Sequence, residues 1–434
     1  MRVQPGAVVS ITVTNVHKIF GPDPHQALRR LQSGATRDDL RRSGHTAAVV
    51  DASFEVRDGE IFVIMGLSGS GKSTLVRTLN RLIEPTAGTV EIDGLDIGSL
   101  DGKALRALRA EKISMVFQHF ALFPHRTVRE NAAFGLEVRR IPKAERHERA
   151  DEALARVGLD GWGDALPDEL SGGMRQRVGL ARALATEAGI LLMDEAFSAL
   201  DPLIKREMQE QLLDLQSELQ RTIVFITHDL NEAMRLGDRI AVMRDGQIVQ
   251  IGTAEEILQE PADDYVASFV QDVDRSRVLT AEGVMDQPVA TIGAREGPAA
   301  AMRRMRELQV SALFVVGPQQ RLMGTVDDEG VAKLLREKAR TLDGALRREG
   351  LVTANPDAYL ADLLLPCAET SLPLAVVDDR GTLRGVLPRA TLLEALSRES
   401  ANGPLAHDED TVPANGTGTV DTAADPVPEV VADG

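Results

Sequence analysis

A glycine-rich octapeptide between a strand pattern and a helix pattern is the feature that most constrains this 434-residue chain. Residues 66–73, Gly-Leu-Ser-Gly-Ser-Gly-Lys-Ser, fit the pattern Gly-x-x-x-x-Gly-Lys-Ser/Thr, with apolar residues at 61–65 before them and a helical pattern over 74–82 after them. Glycines let the backbone curl so that its N–H groups face phosphate oxygens, and the N-terminus of the following helix adds positive partial charge. The octapeptide therefore predicts a phosphate-binding loop at the end of a buried strand.

A second strand pattern supplies acids suited to hydrolysis. The apolar residues 190–193 lead directly into Asp194 and Glu195. Lys72 is expected to reach the β- and γ-phosphates, and Ser73 is expected to ligate Mg²⁺. Asp194 suits Mg²⁺, directly or through water, and Glu195 is placed to polarise the attacking water as a general base. The loop alone would also fit a kinase, a GTPase or a motor protein, and the acidic pair favours hydrolysis.

Charge and composition exclude several classes of function. The net charge is −17, and seven acids with no Lys or Arg lie from Pro404 onward, which leaves −10 (−17 + 7) for the rest. A nucleic-acid partner requires a basic surface, so none is expected. No apolar run approaches the ~18 residues of a membrane-spanning helix, and the N-terminal sequence lacks a secretory pattern, so a cytosolic location is expected. Cys367 is the only cysteine, which excludes an internal disulfide and a cysteine-built metal site.

The pattern of strands and helices divides the chain into regions. Strands and helices alternate to about Gly252, which predicts an α/β fold over residues 1–275 with a helical insertion at 21–45. Apolar positions then recur at an offset of 61, which indicates two half-units, at 278–340 and 341–400, that bury their apolar faces against each other. Residues 401–434 are mostly Ala, Thr, Gly, Pro and Asp, and this acidic tail is expected to be disordered. The recurring pairs are Leu313 and Leu374, Val315 and Val376, Val316 and Val377, Leu322 and Leu383, Gly324 and Gly385, and Leu335 and Leu396.

Residues 170–177, Leu-Ser-Gly-Gly-Met-Arg-Gln-Arg, resemble the signature motif of the ATP-binding-cassette (ABC) family. This motif is more specific than the phosphate-binding loop, and the remaining motifs of the family also occur in order. Gln118 matches the Q-loop, residues 198–201 match the D-loop, and His228 matches the switch histidine that contacts the γ-phosphate. Phe20 matches the aromatic residue that stacks on adenine, and its alternative is an ordinary core phenylalanine.

The resemblance implies a P-loop NTPase fold of the ABC type with a helical subdomain at about 118–170. It also implies that two copies close head to tail around two ATP molecules, so that closure performs a mechanical stroke and hydrolysis resets it. Catalysis then depends on positioning and charge stabilisation rather than on covalent chemistry. The residues implied to bind nucleotide are Phe20, Gly66, Ser68, Gly69, Ser70, Gly71, Lys72, Ser73 and Thr74, with Asp201 and, from the other copy, Ser171, Gly172 and Gly173. Those implied to act in catalysis are Lys72, Gln118, Glu195 and His228, and those implied to bind Mg²⁺ are Ser73, Gln118 and Asp194.

A finer match is to the ATPase subunits of glycine betaine/proline betaine importers, the quaternary-amine class, which share the helical insertion before the loop. The match is close over about residues 8–275 and looser over the repeat. It implies three partners: a second copy of the chain, an integral membrane permease that holds the chain at the cytoplasmic face of the membrane, and an extracytoplasmic solute-binding protein acting through the permease. The segments that carry the match are 60–74, 81–86, 115–128, 168–185 and 191–203.

The repeat resembles a tandem pair of CBS motifs, α+β units that commonly bind adenine nucleotides. Nucleotide-binding copies place a Thr or Ser and an Asp after a Gly-apolar-apolar stretch. The chain departs from that pattern, since Gly330 stands where the Asp is expected in the first copy, and Pro388 and Thr391 follow the stretch in the second. In relatives, a CBS pair with an acidic tail is linked to sensing of ionic strength. Candidate partners of the tail are Arg303, Arg304, Arg306, Arg347 and Arg348, and the alternative is a solvated tail beside solvated helix faces.

Alternative functions stay open at this stage. The ATPase subunit does not touch the solute, so choline, carnitine or proline could be the cargo. A soluble regulatory ABC ATPase without a permease is a second alternative, although the long segment between Gln118 and Ser171 resembles the region that grips a permease. A non-enzymatic ATP-gated scaffold would lack the base, and Glu195 is present.

Deleting residues 404–434 tests the predicted role of the acidic tail. Salt screens the attraction between the tail and basic surfaces, so transport by a complex with the truncated subunit should lose its dependence on salt. The measurement is solute uptake into vesicles over a range of salt concentrations, with the full-length subunit as control. An unchanged salt response would remove the tail from the mechanism.

Overall fold

The computed structural model describes residues 8–117, 121–198, 200–271 and 273–397. Gln118, Ala199 of the predicted D-loop and the predicted tail at 401–434 lie outside these ranges. Among the described residues, none of the helices combines the length and the apolar character needed to span a membrane.

An antiparallel sheet of four strands forms the first layer of the fold, with the strand order β2-β1-β4-β5. Along the chain, two helices lie between the first and second strands of this sheet. One strand that belongs to the second sheet and one helix then lie between its second and third strands. The elements of this part are β1 Val9–Phe20, α1 Pro24–Gln32, α2 Arg37–Arg42, β2 Thr46–Arg57, β3 Ile61–Met65, α3 Lys72–Leu79, β4 Ala87–Ile92 and β5 Leu95–Asp96.

A sheet of six strands forms the second layer, in the order β10-β9-β3-β8-β7-β6. Its strands run parallel except β10, which pairs antiparallel with β9. The elements are α4 Gly102–Lys112, β6 Ile113–Val116, α5 Val128–Ala132, α6 Phe134–Val138, α7 Lys143–Arg156, α8 Gly172–Ala185, β7 Ile190–Asp194, α9 Pro202–Leu219, β8 Thr222–Thr227, α10 Leu230–Leu236, β9 Arg239–Arg244 and β10 Gln247–Gly252.

The second sheet is buried on both faces, as the nearly continuous apolar runs of its central strands require. Because side chains alternate along a strand, β3 supplies two separate cores. Phe62 and Ile64 pack with α3 and the first sheet, whereas Val63 and Met65 pack with the helical layer that includes α5, α7 and α8. The Phe62 ring also stacks on Phe54, with the ring centroids 5.0 Å apart. The strand that precedes the loop at 66–73 is therefore buried between two layers.

The insertion at 21–45 is helical, as the sequence predicts, and it has a small core of its own. Leu28 of α1 and Leu40 of α2 are buried against Ile19, Ala47 and Val50 of the first two strands. The insertion thus packs onto the sheet edge beside the phosphate-binding loop rather than projecting from it. Asp23 caps the first helix and Thr36 caps the second, where Asp39 completes a capping box.

Helix α3 begins and ends earlier than the helical pattern at 74–82 predicts. Gly71, with φ +100°, is the residue before the helix, so Lys72 and Ser73 belong to its first turn. The helix stops at Leu79, and Arg81 then adopts a left-handed conformation with φ +54°. The apolar pattern continues beyond the helix because Leu82 and Ile83 follow a turn in which the Ile83 amide donates to the Arg77 carbonyl.

The C-terminal part contains two small sheets with the same topology. Each sheet, β11-β12-β13 or β14-β15-β16, begins with a parallel pair and continues into an antiparallel hairpin. The elements are α11 Ala254–Gln259, α12 Asp264–Phe269, α13 Ala281–Val284, β11 Thr291–Gly293, α14 Pro298–Leu308, β12 Ala312–Val316, β13 Leu322–Asp327, α15 Asp328–Arg336, β14 Thr353–Ala354, α16 Leu360–Glu369, β15 Leu374–Val377, β16 Leu383–Leu387 and α17 Arg389–Ser397.

The two copies of the repeat exchange their leading segments. Asp286, just after α13, bridges to Val386 of the second sheet, and Arg347, 61 positions later, bridges to Thr325 of the first. The core of the second copy accordingly includes Leu279 and Ala281, while the core of the first includes Leu342 and Ala345. Each copy completes the other, so the repeat folds as a pair.

Candidate nucleotide-binding site

Parallel strand pairing brings three distant sequence motifs to one edge of the second sheet. β3 pairs with β8, and β8 pairs with β7, all in the same direction. Met65 aligns with Thr227 and Asp194 aligns with Ile226, so these strands end side by side. The loop after β3, the acids at the end of β7 and the histidine after β8 therefore emerge together, the usual place for ligands in open α/β sheets.

The loop at 66–73 requires glycine where it turns. A Cβ atom on Gly71 would lie 2.1 Å from the Ala48 carbonyl oxygen of β2, and the residue has φ +100°, which side chains disfavour. A Cβ on Gly66 would lie 2.2 Å from the Met243 carbonyl oxygen. The loop is thus pressed against β2 and β9, which fixes its curvature.

Two polar groups of the loop fit an anionic ligand. The Ser70 hydroxyl is buried and has no hydrogen-bond partner among the residues that the structure describes. Lys72 is 4% exposed, and its Nζ donates to the carbonyl oxygens of Gly66 at 2.8 Å and Leu67 at 3.0 Å. Burial lowers the pKa of Lys72, and the carboxylates of Glu195 and Asp194 partly offset that effect. A bound phosphate would supply a counter-charge for the ammonium group and an acceptor for the hydroxyl.

Ser73 and Asp194, both predicted to bind Mg²⁺, are in direct contact. The Ser73 hydroxyl donates to Asp194 Oδ1 at 2.8 Å, and Arg77 Nη2 lies 3.0 Å from Asp194 Oδ2. Asp194 is buried, so Arg77 keeps its charge paired. The described residues contain no cluster of three or more His, Cys, Asp or Glu suited to a metal ion. The pair fits Mg²⁺, which proteins commonly bind with one or two ligands plus substrate phosphates and water.

Glu195 and His228 form the third part of the site. His228 Nδ1 lies 3.4 Å from Glu195 Oε2, and the imidazole is about half exposed. Glu195 has φ +46°, a left-handed conformation that a non-glycine residue adopts at some cost, and its amide donates to the Ile226 carbonyl at 3.2 Å. This sharp turn directs the chain away from β7 directly after Asp194. Glu195, the candidate base, and its polar partner His228 are thereby held beside the loop at 66–73.

Phe20 lies at the surface rather than in the core, so the alternative of an ordinary core phenylalanine is wrong. It is 42% exposed, ends β1 opposite Thr46, and has Lys18 Nζ 4.9 Å from its ring centroid. Thr46 lies two residues from Ala48, the residue that contacts Gly71. The ring is therefore on the part of β1 next to the phosphate-binding loop.

The signature turn packs against the first turn of the helix that follows the D-loop. The Ser171 hydroxyl accepts from the Met174 amide at 3.3 Å and so caps α8. A Cβ on Gly173 would lie 2.8 Å from Ile204 Cγ2, in the first turn of α9, and Asp201 caps that helix. Ser171 itself is exposed, and its hydrogen bonds with the described residues stay within the first turn of α8. The structure does not bring the signature into hydrogen-bond contact with the described part of the loop.

Sequence reasoning missed two groups of residues at the site. Arg77 lies one helical turn after Ser73, and that spacing could have indicated its pairing with Asp194. Lys205 and Glu232 flank the turn of His228 through an ion-pair network. No short-range pattern signals this second group, because its members come from two different helices.

The loop with Lys72 suits a phosphate, and it lies beside the Ser73–Asp194 pair and the Glu195–His228 pair. This arrangement is typical of P-loop nucleoside triphosphatases. A family model described as "ABC transporter" matches residues 49–198, and one described as "CBS domain" matches residues 281–337.

The chain is 51% identical to the glycine betaine/carnitine transport ATP-binding protein GbuA of Listeria monocytogenes, over 90% of this chain and 98% of that protein. It is 50% identical to the glycine betaine transport ATP-binding protein OpuAA of Bacillus subtilis, over 90% and 93%. It is 47% identical to the glycine betaine/proline betaine transport system ATP-binding protein ProV of Salmonella typhimurium, over 91% and 99%. The chain belongs to this family of ABC transporter ATP-binding subunits, and it is an ATP-binding enzyme that hydrolyses ATP.

Replacing Gly71 with Ala should weaken ATP binding by about tenfold or more, because the added Cβ would overlap the Ala48 carbonyl oxygen and strain the backbone. Binding of a fluorescent ATP analogue to the purified protein measures the effect. Gly189→Ala is the matched control, since a Cβ there meets nothing within 4 Å. Equal affinities of the two variants would contradict the assigned role of the loop's curvature.

Proposed function

We propose that this chain is the ATP-hydrolysing subunit that energises an importer of quaternary-amine osmolytes such as glycine betaine or proline betaine. The observation that carries the proposal is the meeting of the loop at 66–73 with Asp194, Glu195 and His228 at the end of three parallel strands. The cargo is supported by the three relatives, whose names all include glycine betaine transport.

In the proposed mechanism the chain's own residues orient ATP and water. The backbone of the loop and Lys72 hold the phosphates, and Ser73 and Asp194 are the residues that would hold Mg²⁺, which would supply neutralisation of phosphate charge. Glu195 accepts a proton from the attacking water, and His228 stabilises the charge of the γ-phosphate. Phe20 stacks on the adenine. Gln118, outside the described residues, is assigned to the metal and the water by resemblance alone.

A second copy of the chain is proposed to complete each site. Ser171 caps an exposed helix N-terminus, and its hydrogen bonds are made within that helix, so its amides are available to a phosphate bound by another subunit. Gly172 and Gly173 lie in the same turn. Asp201 caps α9, and Ile204 in the first turn of that helix packs against Gly173, which supports a role for the D-loop at the same subunit interface.

An integral membrane permease is the second proposed partner, and it would hold the chain at the cytoplasmic face of the membrane. A largely apolar cavity of about 350 Å³ lies between helix α4, the first residues of β6 and helices α6 and α8. Phe134 and Val138 line it, and Arg106 and Arg182 lie at its border. Such a groove fits the end of a short helix from a membrane protein. A solute-binding protein would act through the permease.

The CBS repeat is proposed to regulate this activity, because it lines a cavity together with helices of the ATPase part. A cavity of about 700 Å³ is lined by α9 and α10 of the ATPase and by Arg277 and Tyr359 on the side of the repeat.

Uptake into membrane vesicles that hold this chain with its neighbouring permease and solute-binding protein tests the proposal. ATP-dependent uptake of glycine betaine or proline betaine, competed by the other betaine and weakly by choline, is the expected result. Uptake of choline alone would establish the alternative cargo. Failure to co-purify with any membrane protein would favour the soluble ATPase instead.

Replacing Glu195 with Gln should leave ATP binding intact and lower turnover by about 10²–10⁴-fold, because the amide cannot accept the proton of the water. Phosphate release and nucleotide binding are measured on the same preparation. Glu218→Gln, on the exposed side of α9, is the matched control and should behave as the wild type. Turnover of Glu195→Gln within a few-fold of the wild type would refute the assignment of the base.

A further inference from the structure

The turn that carries His228 is fixed on both sides by side chains of α9 and α10. The Thr227 hydroxyl hydrogen-bonds to the Glu232 carboxylate and also accepts from the Asp229 amide at 2.9 Å. Asp229 caps α10 by accepting from the Glu232 amide at 3.2 Å. The neighbours of His228 in the chain are thus both part of one hydrogen-bonded unit.

Lys205 joins this unit to the helix that follows the D-loop. Its Nζ lies 2.5 Å from Asp229 Oδ2 and 3.7 Å from Glu232 Oε1, and its side chain is largely buried. Gln209, one turn further along α9, donates to Glu232 Oε1 at 3.1 Å. Burial alone would raise the pKa of Asp229, but the hydrogen bond and charge of Lys205 hold it below its usual value. Burial raises the pKa of Glu232, so the ammonium group of Lys205 is the charge that balances this pair of acids.

The position of Lys205 in α9 gives the ion pair a mechanical consequence. The helix begins at Pro202, capped by Asp201, and Lys205 Nζ is therefore anchored within one turn of the D-loop. Ile204, its neighbour, is also the residue that packs against Gly173 of the signature turn. A displacement of the start of α9 would be transmitted through Lys205 to Asp229, and so to the residue next to His228.

We infer that Lys205 is a positioning residue for ATP hydrolysis, which holds the His228 turn in register with the start of α9 through its ion pair with Asp229. This inference rests on the proposed function, since it presupposes that His228 acts on the γ-phosphate. The imidazole contacts Glu195 at 3.4 Å and is otherwise about half exposed. Its location therefore depends on the turn that carries it. The contribution of Lys205 is geometric, and it should appear in turnover rather than in ATP affinity.

Replacing Lys205 with Met tests the inference with purified full-length protein. We expect kcat for ATP hydrolysis to fall about tenfold or more, with KM for ATP within about twofold of the wild type. Lys205→Arg, which retains the charge, should recover most of the activity. Arg206→Met is the matched control, because Arg206 is the next residue, carries the same charge, is mostly exposed and pairs only with Glu210 of its own helix among the described residues. Its kcat should stay within twofold of the wild type.

A double-mutant cycle shows whether Lys205 acts through Asp229. The loss of kcat in Lys205→Met/Asp229→Asn should be no greater than in the more affected single variant, because the two residues belong to one interaction. Additive losses would overturn the inference, as would equal losses in Lys205→Met and Arg206→Met or a rise of KM in proportion to the fall of kcat. If Lys205→Met does not fold, as judged by circular dichroism, Asp229→Asn alone must lower kcat at unchanged KM.

The variant His228→Ala separates this inference from the proposed function. Normal turnover in His228→Ala would refute the proposed role of the histidine itself. A strong loss in His228→Ala together with normal turnover in Lys205→Met would leave the proposed function intact and refute only the role of Lys205.

Discussion

Parallel hydrogen bonding between β3, β8 and β7 is the constraint on which the rest of the site depends. The pairing of Met65 with Thr227 and of Asp194 with Ile226 sets the depth at which each strand ends. A slip of one residue would turn every side chain of a strand to the opposite core and move its terminal group along the sheet edge. The two cores to which β3 contributes side chains oppose such a slip, because Phe62 and Val63 pack in different layers. Packing in the two cores thus fixes the geometry of the proposed catalytic groups.

Electrostatic balance at this edge explains why the site is suited to a triphosphate with its metal. Lys72 is buried against carbonyl oxygens, while Asp194 is buried against a hydroxyl and one guanidinium group. Each of these charges is costly in a low-dielectric setting unless it is paired and hydrogen-bonded. Phosphate oxygens near Lys72 and a cation near Asp194 would improve the pairing of both at once. Binding of the nucleotide and ordering of the site are therefore parts of the same free-energy change.

The sequence predicted the α/β fold, the insertion and the 61-residue repeat because each depends on local pattern. The resemblance implied that Lys72, Asp194, Glu195 and His228 share one site, and the structure brings them to one sheet edge because the parallel strands β3, β8 and β7 end there. The earlier start of α3 follows from Gly71, whose left-handed conformation is a property of the folded loop. The exchange of segments between the two CBS copies could not be predicted from the sequence. The apolar residues of each leading segment could equally pack in the core of either copy. The ion pair of Lys205 with Asp229 joins residues whose spacing carries no periodic signal.

The exchange of leading segments within the CBS repeat is relevant to the proposed regulation of the nucleotide-binding site. Because Leu279 and Ala281 belong to the core of the second copy, the segment that leaves the ATPase is anchored in that copy. That same segment contributes Arg277 to the cavity that Lys205 and Tyr359 also line. A rearrangement of the second copy must therefore displace a wall of this cavity, and its opposite wall is the α9–α10 pair that carries the His228 turn. Under the proposed regulation the repeat needs no contact with ATP, since it borders the helices that carry the His228 turn.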